Sequence, residues 1–429
     1  MDLLPDVGFA CEGQPGAAAK AVVDAEGRLI IPVEIARRLG LVPGASVPIE
    51  SPVDALVLHR PASSLAKVYL EPTSRCNLRC RTCIRNAWDE PLGSMSAATF
   101  RRVLAGLREF DPKPLVFFGG FGEPLAHPRI GSMVAQVKVL GGSVELITNG
   151  ILLDEQRGQQ LIEAGLDRLW VSLDGATPEG YTDVRLAEAL PKILENLTRF
   201  QEASLRLTGR MTELGVAFVA MKRNISELPT LIHLSRRIGA TRYLVTNLLP
   251  YTREHGDEIL YQLTLDKSSG FVSSFSPVID LPRIDINEST QGSLLKVLRV
   301  YSNVRLEGID LNQTVNRCPF IQRGATAIRW DGELSPCLAL LHSHTSYLSD
   351  RERKIKRFTL GNIGSRSLID LWEDPQYVSF RQRVQEFDFS PCTQCGTCDL
   401  AERNEEDCFG NTFPTCGGCL WAQGVIRCP

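Results

Sequence analysis

Three cysteines stand close together at Cys76, Cys80 and Cys83, in the order C-x3-C-x2-C. That spacing lets one short loop offer three thiolates to three irons of a cubane cluster, leaving the fourth iron open to a substrate or cofactor. A zinc site, which commonly takes four protein ligands, and plain buried thiols are the other uses of such a run. Nine more cysteines follow: Cys318, Cys337, Cys392, Cys395, Cys398, Cys408, Cys416, Cys419 and Cys428. Cys11 stands alone, which brings the total to 13, an odd number. The N-terminal Met-Asp-Leu-Leu-Pro-Asp has no basic stretch ahead of an apolar core, so export and a disulfide framework are not expected. Metal or cluster ligation in two regions is the leading reading.

Such groups need a scaffold. From Val68 onward, short apolar runs alternate with amphipathic stretches, as in β/α units around a parallel sheet. Six strands are expected, at Val68 to Leu70, Leu115 to Phe118, Val144 to Ile147, Arg168 to Ser172, Val216 to Ala220 and Tyr243 to Thr246. Helices are expected at Ala97 to Phe110, capped by Ser96, and at Asp154 to Ala164, capped by Asp154 and ended by Gly165. The result is an α/β fold, an open (β/α)6 barrel. Parallel α/β folds gather their sites at the carboxyl ends of strands. The loops at that edge carry the three cysteines, Gly119-Gly120-Phe121-Gly122-Glu123-Pro124, Thr148-Asn149-Gly150, Ser172-Leu173-Asp174-Gly175, Met221-Lys222-Arg223 and Asn247. Polar and glycine residues recurring at one edge in all six loops point to a single site.

With 429 residues and 43% apolar content, the chain is long enough for two or three domains. Four segments are expected: 1–62, 63–250, 251–317 and 318–429. Residues 20 to 60 read as strand, strand, helix, strand, with Pro32 opening the helix, too little to bury a core alone. Residues 251–317 read as a bridging segment, in which 280–285 is a surface loop or a substrate-facing one. In 318–429 clusters are expected to stand in for a core. Lys plus Arg is 47 against 50 for Asp plus Glu, a net charge of -3, which argues against a general nucleic-acid or anionic-membrane binder. The long uncharged run from Cys408 to Ile426 is broken by Asn411, Pro414 and Gln423, so no membrane span is expected and the chain reads as soluble and cytoplasmic.

On these motifs the chain resembles a radical S-adenosylmethionine (SAM) enzyme. The resemblance implies that Cys76, Cys80 and Cys83 hold a 4Fe-4S cluster whose open iron is chelated by SAM. Reduction would then split SAM into methionine and a 5'-deoxyadenosyl radical that takes a hydrogen atom from substrate. A low-potential donor such as ferredoxin or flavodoxin is implied. Gly120, Gly122 and Glu123 resemble the family's Gly-Gly-Glu motif at the methionine ammonium, with Phe121 interrupting the doublet. Thr148, Asn149, Ser172 and Asp174 match positions that touch the ribose or methionine, Arg185 an arginine at the SAM carboxylate, and Asn247 a contact near the adenine. Thr82 stands where the family commonly has an aromatic residue.

Cys318, then Gly332, then Cys337, followed by the remaining seven cysteines, resembles the SPASM extension with two auxiliary 4Fe-4S clusters. Two clusters need eight thiolates and nine are present, so one is spare. A zinc ribbon is the minor alternative. Cys398 comes earlier than in the usual SPASM spacing. His342 and His344 read first as structural histidines, with ligation, proton donation or anion contact as alternatives, and Trp88, Trp330, Trp372 and Trp421 as packing.

The strings at 83–88, 118–128, 335–344 and 416–429 are similar to the radical SAM maturases associated with tungsten-containing aldehyde ferredoxin oxidoreductases. That implies action on such an enzyme or its cofactor during maturation. Peptide modification on a ribosomally made precursor, the commoner occupation of SPASM proteins, is the alternative. Residues 22–44 resemble the AbrB-like swapped-hairpin unit, which implies a homodimer through residues 20–60 or the docking of a partner. DNA binding by an iron–sulfur regulator is the third reading. Lys20, Arg28, Arg37, Arg38 and Arg60 are balanced there by Asp24, Glu26, Glu34, Glu50 and Asp54, which is poor for phosphate contact.

Overall fold

The computed structural model describes residues 20–50, 56–177, 189–265, 279–282, 284, 286–300, 304–306, 309–310, 316–348, 350–395 and 398–429. Six parallel strands lie side by side in chain order: β1 (Lys67–Leu70), β2 (Leu115–Phe118), β3 (Val144–Thr148), β4 (Arg168–Ser172), β5 (Glu213–Ala220) and β6 (Ala240–Asn247). Helices α1 (Ala97–Arg108), α2 (Ile130–Val139), α3 (Glu155–Glu163), α4 (Ala189–Thr208) and α5 (Leu228–Arg236) connect them. Right-handed crossovers in a sheet of sequential order put every helix on the same face. Toward that face Val68, Leu70, Val116, Phe118, Val144, Leu146 and Leu169 are fully buried, with Phe118 against Phe100 of α1. Ser96 caps α1 by accepting from the Thr99 amide, and Asp154 caps α3 from the Arg157 amide, as the sequence implies.

The opposite, inner face is polar at the strands' amino ends. Arg168 pairs with Glu145 and, at 2.7 Å, with Glu213, whose other oxygen takes Arg242 at 2.6 Å. This row explains why β5 and β6 begin three residues before the expected starts. Charged residues at a strand's start read as loop, yet here they pair across neighbouring strands on a shared face.

The sheet does not close on itself. Beyond β1 it continues into β7 (Ala325–Ile328), parallel to β1, then β8 (Glu333–Ser335) and, further along the chain, Gly361–Asn362, both antiparallel. The cysteine-rich part of the chain thus extends the barrel's own sheet. Its Trp372, Tyr377, Phe380, Val384, Leu420 and Trp421 join the barrel core in one apolar cluster. The expectation that clusters stand in for a core is corrected: these residues arrive in short bursts between cysteines and glycines, which hides their sum. A separate hairpin, β9 (His344–Leu348) and β10 (Arg351–Ile355), stands beside this extension.

In the N-terminal unit Val22–Val23 pairs with Leu29–Ile30, and Ile49–Glu50 pairs with Val57–Leu58, around a helix at Val33–Leu39 with Pro32 as its N-cap. Val22, Val23, Leu29, Ile30, Val33 and Ile49 are all exposed. Residues 279–281, 304–306 and 309–310 form a small three-stranded sheet. No helix among the described residues is long and apolar enough to cross a membrane.

Candidate active site and cysteine centres

The three-cysteine loop leaves β1 at the carboxyl edge of the sheet. It is held by local hydrogen bonds: the Cys83 amide donates to the Cys80 carbonyl at 3.1 Å, and the Asn86 side-chain Nδ2 donates to the same oxygen at 2.9 Å. All three thiols are half-buried. Arg85 lies beside them. Burial alone would lower its pKa, but the charges of Cys83, Cys76 and Cys80 outweigh burial and raise it, so a fixed cation faces the thiolates.

The glycine loop after β2 closes on this site. A Cβ on Gly122 would fall 2.0 Å from the Thr73 carbonyl oxygen and 2.8 Å from that of Arg75, so only glycine lets the two loops meet. Glu123 is 2% exposed and braces three loops. Its Oε1 accepts from the Leu125 amide and from Thr148 Oγ1 at 2.7 Å, and its Oε2 accepts from the Asn149 amide at 2.7 Å. Asn149 then reaches the cysteine loop, with Nδ2 2.9 Å from Asn77 Oδ1 and 3.7 Å from Cys76 Sγ. Cys76, Gly120, Gly122, Glu123, Thr148 and Asn149 are therefore gathered at one edge.

Other expected contacts point elsewhere. Asp174 accepts from the Val219 amide at 3.0 Å, and Asn247 Nδ2 donates to the Val425 carbonyl at 2.9 Å. Ser172 ends β4 half-buried, and Arg185 lies outside the described residues. Asn247 is engaged because the segment 425–429 lies along the inner face. Lys67 Nζ and Tyr69 Oη of β1 both donate to the Pro429 carbonyl at 2.7 Å, and the Arg427 amide donates to Thr246 of β6 at 2.8 Å. Burial brings the Lys67 ammonium down to about 8.

Beside the glycine loop His342, expected first as a structural histidine, meets Glu71 and Glu90, two acids that sequence reasoning missed. His342 is buried between two carboxylates, with Nδ1 2.8 Å from Glu90 Oε2 and Nε2 3.1 Å from Glu71 Oε2. Trp88 packs against it with ring centres 4.0 Å apart and the planes tilted by 44°. Glu71 also accepts from the Phe121 amide, and Arg329 pairs with Glu90 at 2.9 Å. Burial disfavours the imidazolium, but the bonds to Glu71 and Glu90 outweigh it and raise the His342 pKa. Burial likewise pushes Glu90 up, and the bonds from His342 and the Ser343 amide overcome it, holding the acid at about 2. For the two acids, only the position of Glu71, directly after the first strand, was a signal in the sequence. His344 hydrogen-bonds the His342 carbonyl, and burial takes it down to about 4.

The nine C-terminal cysteines fall into groups. Cys318, Cys337, Cys416 and Cys419 line one cavity and are all buried deeply enough to raise their thiols, Cys318 to about 12, with the charge of neighbouring thiols adding to the effect for Cys318, Cys337 and Cys416. Cys392 and Cys395 line a neighbouring cavity. Asp407, next to Cys408, accepts from the Ser390 amide at 3.1 Å, while Ser390 Oγ lies 3.0 Å from Cys392 Sγ, which draws the Cys408 loop toward this second group. Cys428 is apart from both, with its Sγ 3.3 Å from Trp421 Nε1 and facing Lys67. Among the described residues no three Cys, His, Asp or Glu side chains converge on a single metal ion. Cubane ligands stand farther apart, because each binds a different iron.

A parallel (β/α)6 sheet with a three-thiol loop at its carboxyl edge and further thiol groups on an extension of the same sheet defines a radical SAM protein with auxiliary iron–sulfur centres. The radical SAM superfamily profile matches residues 70–214, and that of the SPASM iron-sulfur cluster-binding domain matches residues 318–399. The Pyrococcus furiosus tungsten-containing aldehyde ferredoxin oxidoreductase cofactor-modifying protein is 31% identical over 369 residues, covering 84% of this chain and 96% of that protein. The chain belongs to that radical SAM/SPASM family of enzymes, which use 4Fe-4S clusters and SAM. A probable GTP 3',8-cyclase of Methanococcus maripaludis is 32% identical over 178 residues, 41% of this chain and 57% of that protein. The solved structure of Streptococcus suis SuiB bound to its precursor peptide SuiA covers 78% of this chain and 70% of its own, at 17% identity and TM-score 0.50, and shares the fold.

Proposed function

We propose that the protein cleaves SAM reductively and uses the radical to modify a tungsten-containing oxidoreductase, or its cofactor, during maturation. The similarity to the cofactor-modifying protein over 96% of that relative carries this reading. The cluster and SAM supply the hydrogen-abstracting radical. This chain's residues place it: Cys76, Cys80 and Cys83 hold the cluster, Arg85 balances their charge, and the backbone at Gly120–Gly122 with Thr148 and Asn149 forms the wall for the methionine end. Glu123 holds those loops together. Arg185, Ser172, Asp174 and Asn247 are assigned SAM contacts on family likeness alone. Cys318, Cys337, Cys416 and Cys419 form one auxiliary site, Cys392, Cys395, Cys398 and Cys408 the other, and Cys428 is the spare thiol.

On this reading residues 63–250 are the catalytic core, 251–317 a bridge and 318–429 the auxiliary module. Residues 1–62 pair with a second copy, which would cover the exposed apolar side chains of that unit. Electrons come from a reduced ferredoxin or flavodoxin in the cytoplasm. The test is anaerobic 5'-deoxyadenosine release from the reconstituted, reduced protein with and without the unmatured tungsten oxidoreductase of the same organism. Strong stimulation is expected; basal cleavage that ignores the partner would overturn the substrate and favour peptide modification.

A further inference from the structure

Arg353 belongs to β10, an Arg-Glu-Arg-Lys-Ile run that looks like a solvated charge patch. Yet it is 6% exposed. Its Nε donates to the Ala401 carbonyl at 3.0 Å, and among the described residues no carboxylate pairs with it. A guanidinium keeps its charge at any physiological pH, and burying one without a counter-charge is strongly unfavourable. The ionisable groups that face it are Cys419, Cys392 and Tyr261. It lines both cysteine cavities, the one with Cys318, Cys337, Cys416 and Cys419 and the one with Cys392 and Cys395. A Cβ on Gly418 would fall 2.1 Å from its Nη2 and 3.5 Å from the Cβ of Cys392, so Gly418, between Cys416 and Cys419, is the gap through which the guanidinium reaches between the two groups.

We propose that Arg353 is the shared counter-cation of two iron–sulfur centres, one on Cys318, Cys337, Cys416 and Cys419 and one on the Cys392–Cys395 loop, and raises the reduction potential of both. The inference rests on reading both thiol groups as cluster sites. One-electron reduction adds a negative charge to a centre, so a fixed cation in a low-dielectric setting favours the reduced state of each. A single residue thereby ties the potentials of two centres together.

The test is an EPR-monitored redox titration of the full chain, reconstituted anaerobically with iron and sulfide, as parent, Arg353→Met and Arg353→Lys. The expected Arg353→Met protein keeps its iron, while the reduced-to-oxidised ratio of both auxiliary signals at a fixed potential falls about tenfold, which for a one-electron couple is about 59 mV. The signal of the Cys76–Cys83 site stays in place, and Arg353→Lys recovers most of the shift. Full iron with unmoved auxiliary potentials, or with only one moved, overturns the proposal. Where Arg353→Met loses iron, Arg353→Lys decides: iron and potentials recovered support a charge role, and iron lost from both makes Arg353 a packing residue. Cys416→Ala and Cys395→Ala, titrated alongside, should each remove one distinct signal. If neither does, the two-site reading itself fails and the proposal with it.

Discussion

The loop at Cys76–Cys83 and the group of Cys318, Cys337, Cys416 and Cys419 use one side chain in opposite settings. The loop thiols are half-buried, drawn from eight consecutive residues and faced by Arg85. The C-terminal thiols come from three distant stretches, with Cys318, Cys337 and Cys416 buried and Cys419 half-buried. Three thiols on an open loop suit a centre that must expose an iron to a ligand. Four thiols lining one cavity suit a centre that only passes charge. The first can be assembled by local sequence; the second exists only after the sheet has been extended through β7 and β8.

Replacing one thiol in each setting is the sharpest way to break that contrast. Cys80→Ala should reduce SAM cleavage to the uncatalysed background, because two thiolates on a loop cannot hold an open-iron cluster. Cys395→Ala or Cys416→Ala should keep SAM binding and lose about four irons per chain together with product. Equal loss of SAM binding in all three, followed by calorimetry, would show that the regions do not divide the work as their burial implies.

The same contrast decides what could be read from the chain. Six strands joined by helices and the cysteine loop were legible because local apolar runs, Ser96, Asp154 and C-x3-C-x2-C each state their role within a few residues. Thr148 and Asn149 were legible by position, since strand ends in this fold meet. The Glu71–His342–Glu90 bridge was not, because its partners are separated by hundreds of residues and no local pattern couples them. Arg353 was hidden by its neighbours: in Arg-Glu-Arg-Lys the strand period puts one charge inward, and composition alone reads all as solvated. The inward turn of Asn247 toward Val425 likewise depends on where a distant segment comes to rest.

His342 joins the two regions, so its loss should cost stability rather than chemistry alone. Removing one member of a buried ion pair typically costs about 3–5 kcal/mol. Glu90→Ala should therefore lower the unfolding free energy by about 3 kcal/mol, by denaturant titration of the reconstituted protein. The pH dependence has two limbs. His342 has a folded-state pKa raised above 6.5, so its contribution is complete below that value and is lost as pH rises through the raised one. Glu90 is held at about 2, so its contribution persists at neutral pH and fades only as pH falls toward that value. His342→Gln should erase the alkaline limb of a melting-temperature profile; a parent profile flat above pH 6.5 would contradict the paired imidazolium.

A subtler change tests whether the loops meet as tightly as the distances say. Gly122→Ala would press a methyl against two backbone carbonyls that have no room to rotate away. Its effect should appear as about tenfold weaker SAM binding, near 1.4 kcal/mol, with the cluster's iron content unchanged.

Asp154→Ala should have the smallest effect and isolates the scaffold from the site. Asp154 accepts from the Arg157 amide at 2.8 Å and caps α3, the helix that follows the Thr148–Asn149 loop. Removing an N-cap costs about 1 kcal/mol, and α3 is also anchored by buried Leu161 and Ile162. The melting temperature should therefore drop by a few degrees while 5'-deoxyadenosine release per folded chain stays at the parent rate. A fall in release at constant folded fraction would mean that the α3 start transmits to Asn149 and so to Cys76, and that the open site depends on its scaffold more finely than the buried one does.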